Sequence, residues 1–221
     1  MLTAIGTVVA VSSCSNSAAS GDAYATNDGA IHRDGSIVEP TEGGAVDAGA
    51  LPGPEPECAT YCDSVLDSCK GGHVQYASRD ECLAFCAQLP AGKGGASEGN
   101  SVACRQFYAG SPSKRDAVTY CGAAGPFGGG GICGDRCPVF CGLALGACAP
   151  EAGAAPYGSY SDCQTVCLGF AYKDGGADGG GEPPTGPTSG NTLNCRLYYL
   201  RKAITEGSSC EQLGPDSPAC R

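Results

Sequence analysis

The stretch CATYCDSVLDSC, which runs from Cys58 to Cys69, holds three cysteines in a Cys-x3-Cys-x6-Cys frame. A later stretch, CPVFCGLALGAC from Cys137 to Cys148, repeats the frame with almost no other residue in common. A three-residue gap places two side chains at i and i+4, on one face of a helix. In both stretches the residues at offsets 0, 4, 7, 8 and 11 are cysteine or apolar. Each stretch therefore predicts a helix whose cysteines belong to its buried face.

Sixteen of the chain's 17 cysteines form two sets of eight in the same order. The spacers are 3, 6, 12, 3, 17, 16 and 11 residues in the first set and 3, 6, 14, 3, 27, 14 and 9 in the second, so the short spacers are identical. This agreement predicts an internal duplication. The first segment carries Cys58, Cys62, Cys69, Cys82, Cys86, Cys104, Cys121 and Cys133. The second segment carries Cys137, Cys141, Cys148, Cys163, Cys167, Cys195, Cys210 and Cys220.

Capping signals mark two further helices in each segment. Ser78 with Glu81 three residues on is a capping box, and Ser159 with Asp162 is its counterpart. A third helix begins after an Asn-Ser or Asn-Thr pair ahead of the sixth cysteine, and Pro112 is expected to end it in the first segment. The predicted fold class is all-α: two tandem small modules, each a bundle of about three short helices stapled by disulfides.

The pairing of these sixteen cysteines stays open at this point, because eight cysteines allow many connectivities. An antiparallel hairpin of the first two helices favours one scheme: Cys69 with Cys82, Cys62 with Cys86, Cys58 with Cys104, and Cys121 with Cys133. A rival scheme, taken from a similarity to twin Cys-x3-Cys hairpins, joins Cys62 to Cys82 and Cys58 to Cys86.

The composition points to an exported protein. The chain has no Trp, one Met and five Phe, which is too little for a large apolar core, and 36 Gly with 15 Pro indicate extensive loops. Disulfides persist in oxidising compartments, so sixteen regularly spaced cysteines favour export over a cytosolic location.

The one remaining cysteine, Cys14, follows an apolar run from Leu2 to Val11 that has the length of a signal-peptide core. The sequence Val11-Ser-Ser-Cys14 resembles the bacterial lipobox, which implies that Cys14 is acylated and becomes the N-terminus. No Lys or Arg precedes the run. The alternative is an ordinary secretory signal cut near Ala10 or Ser13. With Ser15 after the cysteine, the lipoprotein resemblance implies an outer-membrane lipoprotein that faces the periplasm or the cell surface.

The stretch between Cys14 and Cys58 has eight acids against one base, so most of the chain's net charge of −10 belongs to it. With few apolar residues it is predicted to be a disordered acidic tether, rich in Gly and Pro. The predicted organisation is a signal peptide at 1–13, the lipidated tether at 14–57, one module at 58–134 and a second at 135–221. Since the modules are nearly neutral, nothing indicates a nucleic-acid partner.

No catalytic, cofactor or metal site is predicted. No two cysteines stand at i and i+3, and the two histidines, His32 and His73, lie far apart in the sequence. Metal binding by cysteine thiolates remains an alternative to disulfides. The Gly128–Gly131 run lacks the residues of a phosphate loop and is interpreted as a loop before Cys133.

Three smaller features have two interpretations each. Asp174, Asp178 and Glu182 fit a flexible insertion better than a calcium loop, because their spacing does not match one. Arg105 and Arg196 follow equivalent cysteines, where each is interpreted as a solvated helix charge, with a shared ligand contact as the alternative. The aromatic pairs after them are interpreted as core and not as a binding platform; they are Phe107 with Tyr108 and Tyr198 with Tyr199.

The motif from Tyr76 to Cys82, Tyr-x-Ser-x-x-Glu-Cys, is followed by Asn-Ser-x-x-Cys-Arg from Asn100 to Arg105 and by a Gly-Pro-x-Gly-Gly-Gly loop. These motifs resemble uncharacterised cysteine-rich bacterial lipoproteins of myxobacterial type, with duplicated eight-cysteine modules. The resemblance covers residues 58–221 and implies no particular activity.

We therefore expect a non-enzymatic cell-envelope lipoprotein with a structural or interaction role and no cofactor. Its expected partners are the membrane, through the lipid anchor, and an envelope protein or polymer. Thiol-based handling of metals or redox equivalents, and an inhibitor-like secreted module, are the alternatives.

Overall fold

Eight α-helices and two short 3₁₀ helices, Gly71–His73 and Cys210–Gln212, make up the regular structure of a computed structural model that describes residues 55–148, 155–173 and 182–221. The expected signal peptide, Cys14 and most of the acidic tether lie outside the described residues. All described residues belong to one compact unit of the chain. The structure is all-α, as predicted, and the described part holds no strand, only an isolated parallel bridge between Ala171 and Thr192.

The first segment contains five helices. They are α1 (Cys58–Ser68), α2 (Arg79–Cys86), α3 (Val102–Ala109), α4 (Ser111–Arg115) and α5 (Ala117–Ala124). The predicted caps are present: the hydroxyls of Ser78 and Ser101 accept hydrogen bonds from the backbone N–H three residues on. Helix α3 ends at Ala109, ahead of Pro112, which lies in the first turn of α4. This segment thus has more helices than the three expected.

The second segment contains three helices. They are α6 (Arg136–Ala147), α7 (Tyr160–Cys167) and α8 (Leu193–Glu206). Ser159 and Thr192 cap α7 and α8 in the same way as their counterparts in the first segment. With no proline after its first two turns, α8 runs for 14 residues and ends at Gly207, which has a φ of +65°. Within the described residues, no helix is both long and apolar enough to cross a membrane.

All sixteen cysteines of the two segments are paired in eight disulfides, and both segments pair them in the same order: first with fifth, second with fourth, third with seventh and sixth with eighth. In the first segment the bonds are Cys58–Cys86, Cys62–Cys82, Cys69–Cys121 and Cys104–Cys133. In the second they are Cys137–Cys167, Cys141–Cys163, Cys148–Cys210 and Cys195–Cys220. So many disulfides are typical of an exported protein.

The pairing favoured by the simple hairpin argument is therefore wrong, and the rival twin-hairpin pairing is correct for both bonds that it names, Cys62–Cys82 and Cys58–Cys86. The hairpin argument assumed a tight turn that would place Cys69 opposite Cys82. Instead the chain after α1 runs back along it, and Tyr76 packs edge-on against Tyr61 with the two hydroxyls 2.7 Å apart. Helix α2 consequently begins opposite Cys62, and Cys69 is left to bond with α5.

The hydrophobic core is continuous between the two segments. One cluster of buried side chains includes Tyr61 and Phe85 of the first segment together with Phe140 and Leu197 of the second. Helices α2 and α8 pack against each other across the boundary. The described parts of the two segments thus share a single core.

Candidate functional site

A cleft with a volume of about 530 Å³ lies almost entirely in the second segment. Its walls are the start of α6, the end of α7 and the chain that follows α7, with Gly130 of the glycine-rich loop on one side. Most of the lining is apolar, from Pro138, Leu168, Phe170 and Tyr172 among others. The volume is within the range of small-molecule sites, which are typically about 300–1,000 Å³.

Arg136 forms one edge of the cleft and is held from three sides. Its guanidinium lies 3.8 Å from the centre of the Tyr172 ring, and its Nε is 3.4 Å from Oε1 of Glu182. On the third side it lies against the backbone of Gly130, where a Cβ would come within 2.5 Å of the guanidinium carbon. Gly130 also has a φ of +66°, so glycine is required here both by conformation and by space.

Glu182 is buried, and its carboxylate binds two partners. Besides Arg136, it accepts a hydrogen bond of 2.5 Å from the hydroxyl of Tyr172. Burial, and then the nearby negative charge of Glu182, raise the pKa of Tyr172, so the hydroxyl stays protonated and remains a donor. Of the three acids considered for a calcium loop, only Glu182 lies in the described residues, and its carboxylate is bound by Arg136 and Tyr172 of the same chain. Asp174 and Asp178 lie outside the described residues.

The same network joins the two segments. The backbone carbonyl of Glu182 accepts a bond of 2.8 Å from Nη2 of Arg201, and Nη1 of Arg201 lies 2.8 Å from Oε1 of Glu81 on α2. Nη2 also donates to the carbonyl of Gln75 at 3.1 Å. Arg201 and Glu81 are both buried, so their charges compensate each other away from water. This inter-segment pair fixes the wall of the cleft to the first segment.

Arg196 lies directly behind the cleft, contrary to its interpretation as a solvated charge. The residue is fully buried, with its guanidinium 3.5 Å from the centre of the Phe170 ring. It donates to the carbonyls of Gly214 at 3.2 Å and Thr192 at 3.0 Å. Its Nη2 has no hydrogen-bond partner among the described residues. Burial lowers the pKa of Arg196, because desolvation disfavours the charged form.

Arg105, at the equivalent position of the first segment, is also fully buried, so the same interpretation was wrong there. Its guanidinium donates to three carbonyls, those of Ser101, Gly125 and Pro126, at 3.0 to 3.1 Å. In both segments the arginine therefore bonds the carbonyl of a Gly-Pro pair that follows the seventh cysteine. A buried Arg tying down this turn could have been suspected from the Gly-Pro pair, which recurs at the same offset.

Gln164 lies in the lining of the cleft, and its Nε2 is a second buried donor without a hydrogen-bond partner in the described structure. The first segment has no comparable residue. Counted from the fifth cysteine, the positions of Gln164, Leu168, Phe170 and Tyr172 are occupied there by smaller or aliphatic residues, namely Leu83, Ala87, Leu89 and Ala91. The described part of the first segment thus lacks the equivalents of these lining residues, and a comparison of the two segments reveals the difference.

The other candidates from the sequence have simpler outcomes. The Gly128–Gly131 run is a loop, with φ positive at all four glycines and the N–H of Cys133 bonded to the carbonyl of Gly128. The described residues contain no group of three or more His, Cys, Asp or Glu side chains that could hold a metal ion. Of the aromatic pairs expected in the core, Phe107 is 44% exposed and its partner Tyr108 is half-buried. The expectation of a core role was therefore wrong for Phe107.

Residues 57–136 match the family model described as the BfoA family C-terminal domain. The match covers the first eight-cysteine segment and ends at Arg136, at the edge of the cleft. A comparison with curated proteins found no match. A comparison with solved structures also found none.

Proposed function

We propose that the protein is a cell-envelope lipoprotein of the outer membrane, without enzymatic activity, that has a structural or interaction role and binds its partner at the second-segment cleft. The observation that carries the interaction role is the state of the charged groups around the cleft. Arg136 and Glu182 are engaged with each other, and Tyr172 donates to Glu182. A wall whose ionisable groups stabilise one another is suited to recognition and not to proton transfer.

The two-segment architecture supports a rigid presenting body. Four disulfides restrain the helices within each segment, and the buried pair between Arg201 and Glu81 links the two segments. The identical pairing order, with a buried arginine at the same place in each segment, supports the proposed duplication into modules 58–134 and 135–221. The thiol-based alternative is less favoured, because each of the sixteen cysteines in these segments is in a disulfide.

The anchor rests on the lipobox resemblance at Cys14 and on the similarity to myxobacterial-type lipoproteins. The test is intact mass spectrometry of the protein extracted from envelopes, compared with a Cys14→Ser variant. We expect the wild-type chain to begin at Cys14 and to carry acyl chains, and the variant to appear in the soluble fraction. An unacylated wild-type chain in the soluble fraction would refute the lipoprotein assignment.

The interaction role is tested by photo-cross-linking in cells. Leu168 is 78% exposed at the cleft, so a photoreactive residue placed there should capture the partner. Ala87, the exposed equivalent in the first segment, is the matched control. We expect a discrete adduct from position 168 and none from position 87. Equal cross-linking from both positions, or from neither, would contradict the cleft as the site of interaction.

A further inference from the structure

We propose that the second-segment cleft binds a small amphiphilic anion, with an apolar chain against the aromatic wall and a carboxylate head toward Gln164. The proposal deepens the proposed function, since it assigns a ligand class to the same cleft. It rests on the shape of the lining, on two buried donors and on the distribution of charge.

The apolar lining of the cleft favours a ligand whose larger part is apolar. Phe170 and Tyr172 present aromatic surface, and Leu168 exposes most of its side chain at the open side of the cleft. Exposed leucine beside two aromatic rings forms a continuous apolar surface, and such surfaces on soluble domains commonly mark binding sites. An unbranched alkyl chain could lie along this surface and remove it from water.

Two of the buried polar atoms that lack a hydrogen-bond partner, one in the lining of the cleft and one behind Phe170, are donors. Gln164 Nε2 is buried in the lining, and Arg196 Nη2 is buried behind Phe170; neither has an acceptor in the described structure. An unsatisfied buried donor costs free energy that an acceptor would recover. The ligand head should therefore carry acceptor oxygens and no donor, as an ionised carboxylate does.

The buried charge of Arg196 is positive, which is the sign that attracts a carboxylate. Arg136 faces the carboxylate of Glu182, whereas Arg196 has only carbonyl oxygens and the Phe170 ring as partners in the part of the chain that the structure describes. Among the described residues, no carboxylate forms an ion pair with its positive charge. Asp135, which also lines the cleft, is exposed, so water and salt screen its negative charge more than they screen the buried Arg196.

The first segment supplies the internal control for this argument. There Arg105 uses three carbonyl acceptors, and Leu83 stands where the second segment has Gln164. Both surplus donors are thus absent from the segment that lacks the cleft. At these two equivalent positions, the unpaired donors occur only in the segment that carries the cleft, which supports a role for them in binding.

The experiment is isothermal titration calorimetry of the purified disulfide-bonded full chain with dodecanoate and with dodecyltrimethylammonium, both below their micellar concentrations. The two probes share the alkyl chain and differ in the sign of the head. We expect dodecanoate to bind at one site per chain, at least about tenfold more tightly than the cation, because a hydrogen bond to a charged group contributes about that factor. Equal affinities, or no binding of dodecanoate, would overturn the proposal.

Two variants act in opposite directions. Gln164→Leu installs the residue of the first segment and should weaken dodecanoate binding about tenfold by removing the donor. Asp135→Asn removes the screened carboxylate and should tighten binding about twofold, more at low salt. The control is Asp80→Asn on α2, which removes the same charge from an exposed position outside the cleft and should leave the affinity unchanged.

Each result is distinguishable from a failure of the proposed function. Far-ultraviolet circular dichroism and the count of free thiols establish that each variant is folded. If Leu168 cross-links a partner while dodecanoate fails to bind, the interaction role stands and the ligand class falls. If Gln164→Leu binds dodecanoate as tightly as the wild-type protein, the donor argument is refuted.

Discussion

Arg105 and Arg196 occupy equivalent positions in the two segments, and the structure holds them differently. Arg105 donates to three carbonyls, whereas Arg196 donates to two and stacks against Phe170. In the first segment the arginine binds both carbonyls of the Gly-Pro pair as well as that of Ser101. In the second, one donor is left over beside a cleft. The comparison teaches that the same position in the scaffold can hold an arginine with no unpaired buried donor in one copy and with one unpaired buried donor in the other.

The tyrosine pair beside these arginines differs in the same way. Tyr61 and Tyr76 share a hydrogen bond, and Tyr61 donates to the carbonyl of Ala124 at 2.7 Å. In the second segment Phe140 replaces Tyr61, and Tyr157 alone donates to the equivalent carbonyl, that of Leu213, at 2.6 Å. The rings keep the same edge-on contact, at 6.3 and 6.2 Å between centroids. Packing is thus preserved while the polar content changes.

The largest expected difference between the segments lies in their capping acids. Glu81 and Asp162 both close a capping box, but only Glu81 also pairs with the buried Arg201. Glu81→Gln should lower the free energy of unfolding by about 3 kcal/mol, because Arg201 is left as an uncompensated buried charge. Denaturant unfolding with the disulfides intact measures this.

The matched control for that prediction is Asp162→Asn, at the exposed equivalent position. It removes one charge from the same place in a helix but breaks no described ion pair, so the unfolding midpoint should barely move. Equal losses from Glu81→Gln and Asp162→Asn would mean that the ion pair with Arg201 contributes nothing beyond the cap.

A smaller difference should separate the two buried arginines. Arg105→Met leaves three carbonyls without their side-chain donor, and Arg196→Met leaves two. Arg105→Met should therefore be the more destabilising by about 1 kcal/mol, the contribution of one hydrogen bond. The two unfolding free energies, measured in parallel, test the order. A larger loss for Arg196→Met would show that its contact with Phe170 outweighs a hydrogen bond.

The pH dependence of stability should distinguish the tyrosine pairs. Burial raises the pKa of Tyr76 to about 12 and raises the pKa of Tyr61 well above its usual range. Below the unfolded-state pKa of about 10 these groups are protonated in both states and contribute no pH dependence. Above it the unfolded chain releases protons that the folded chain retains, so stability falls by about 1.4 kcal/mol per pH unit for each buried tyrosine.

Tyr61→Phe makes the first segment resemble the second and removes one of the two buried tyrosines, so the fall in stability per pH unit should be smaller by about 1.4 kcal/mol. Unfolding free energies between pH 9 and 11.5, taken before disulfide exchange sets in, measure it. The variant loses the hydrogen bond from the Tyr61 hydroxyl to the carbonyl of Ala124, so the cost at neutral pH should be about 1 kcal/mol. An unchanged alkaline slope would mean that Tyr61 is not the titrating group.

The helices, their caps and the participation of the cysteines could be predicted because each depends on local spacing. Ser78, Ser101 and Ser159 cap where their patterns indicate, and both Cys-x3-Cys frames lie in helices. The pairing could not be derived in the same way. It depends on how far the chain after α1 returns before α2 begins, and a contact between Tyr61 and Tyr76 decides that distance.

The cleft escaped prediction for a related reason. Gln164 lies in α7 and Phe170 in the chain that follows it, whereas Gly130 comes from the loop of the first segment and Arg196 from α8. Only the shared core brings these residues together. Spacing within one segment carries no signal of that juxtaposition. The interpretation of Arg196 as a solvated charge was wrong because backbone carbonyls, and not an acidic side chain, accept its hydrogen bonds.

The smallest effect concerns the glycines that make α6 differ from α1. Gly142 occupies the position of Asp63, and a Cβ added there would meet nothing within 4 Å. Gly142→Ala should therefore raise the free energy of unfolding by about 0.5–1 kcal/mol, since alanine loses less backbone entropy in a helix. Gly130→Ala is the contrasting variant, because its Cβ would collide with the guanidinium of Arg136 at a positive φ, and it should destabilise the protein. If Gly142→Ala lowered the unfolding midpoint, the weaker helix propensity of the second segment would serve a purpose that packing alone does not explain.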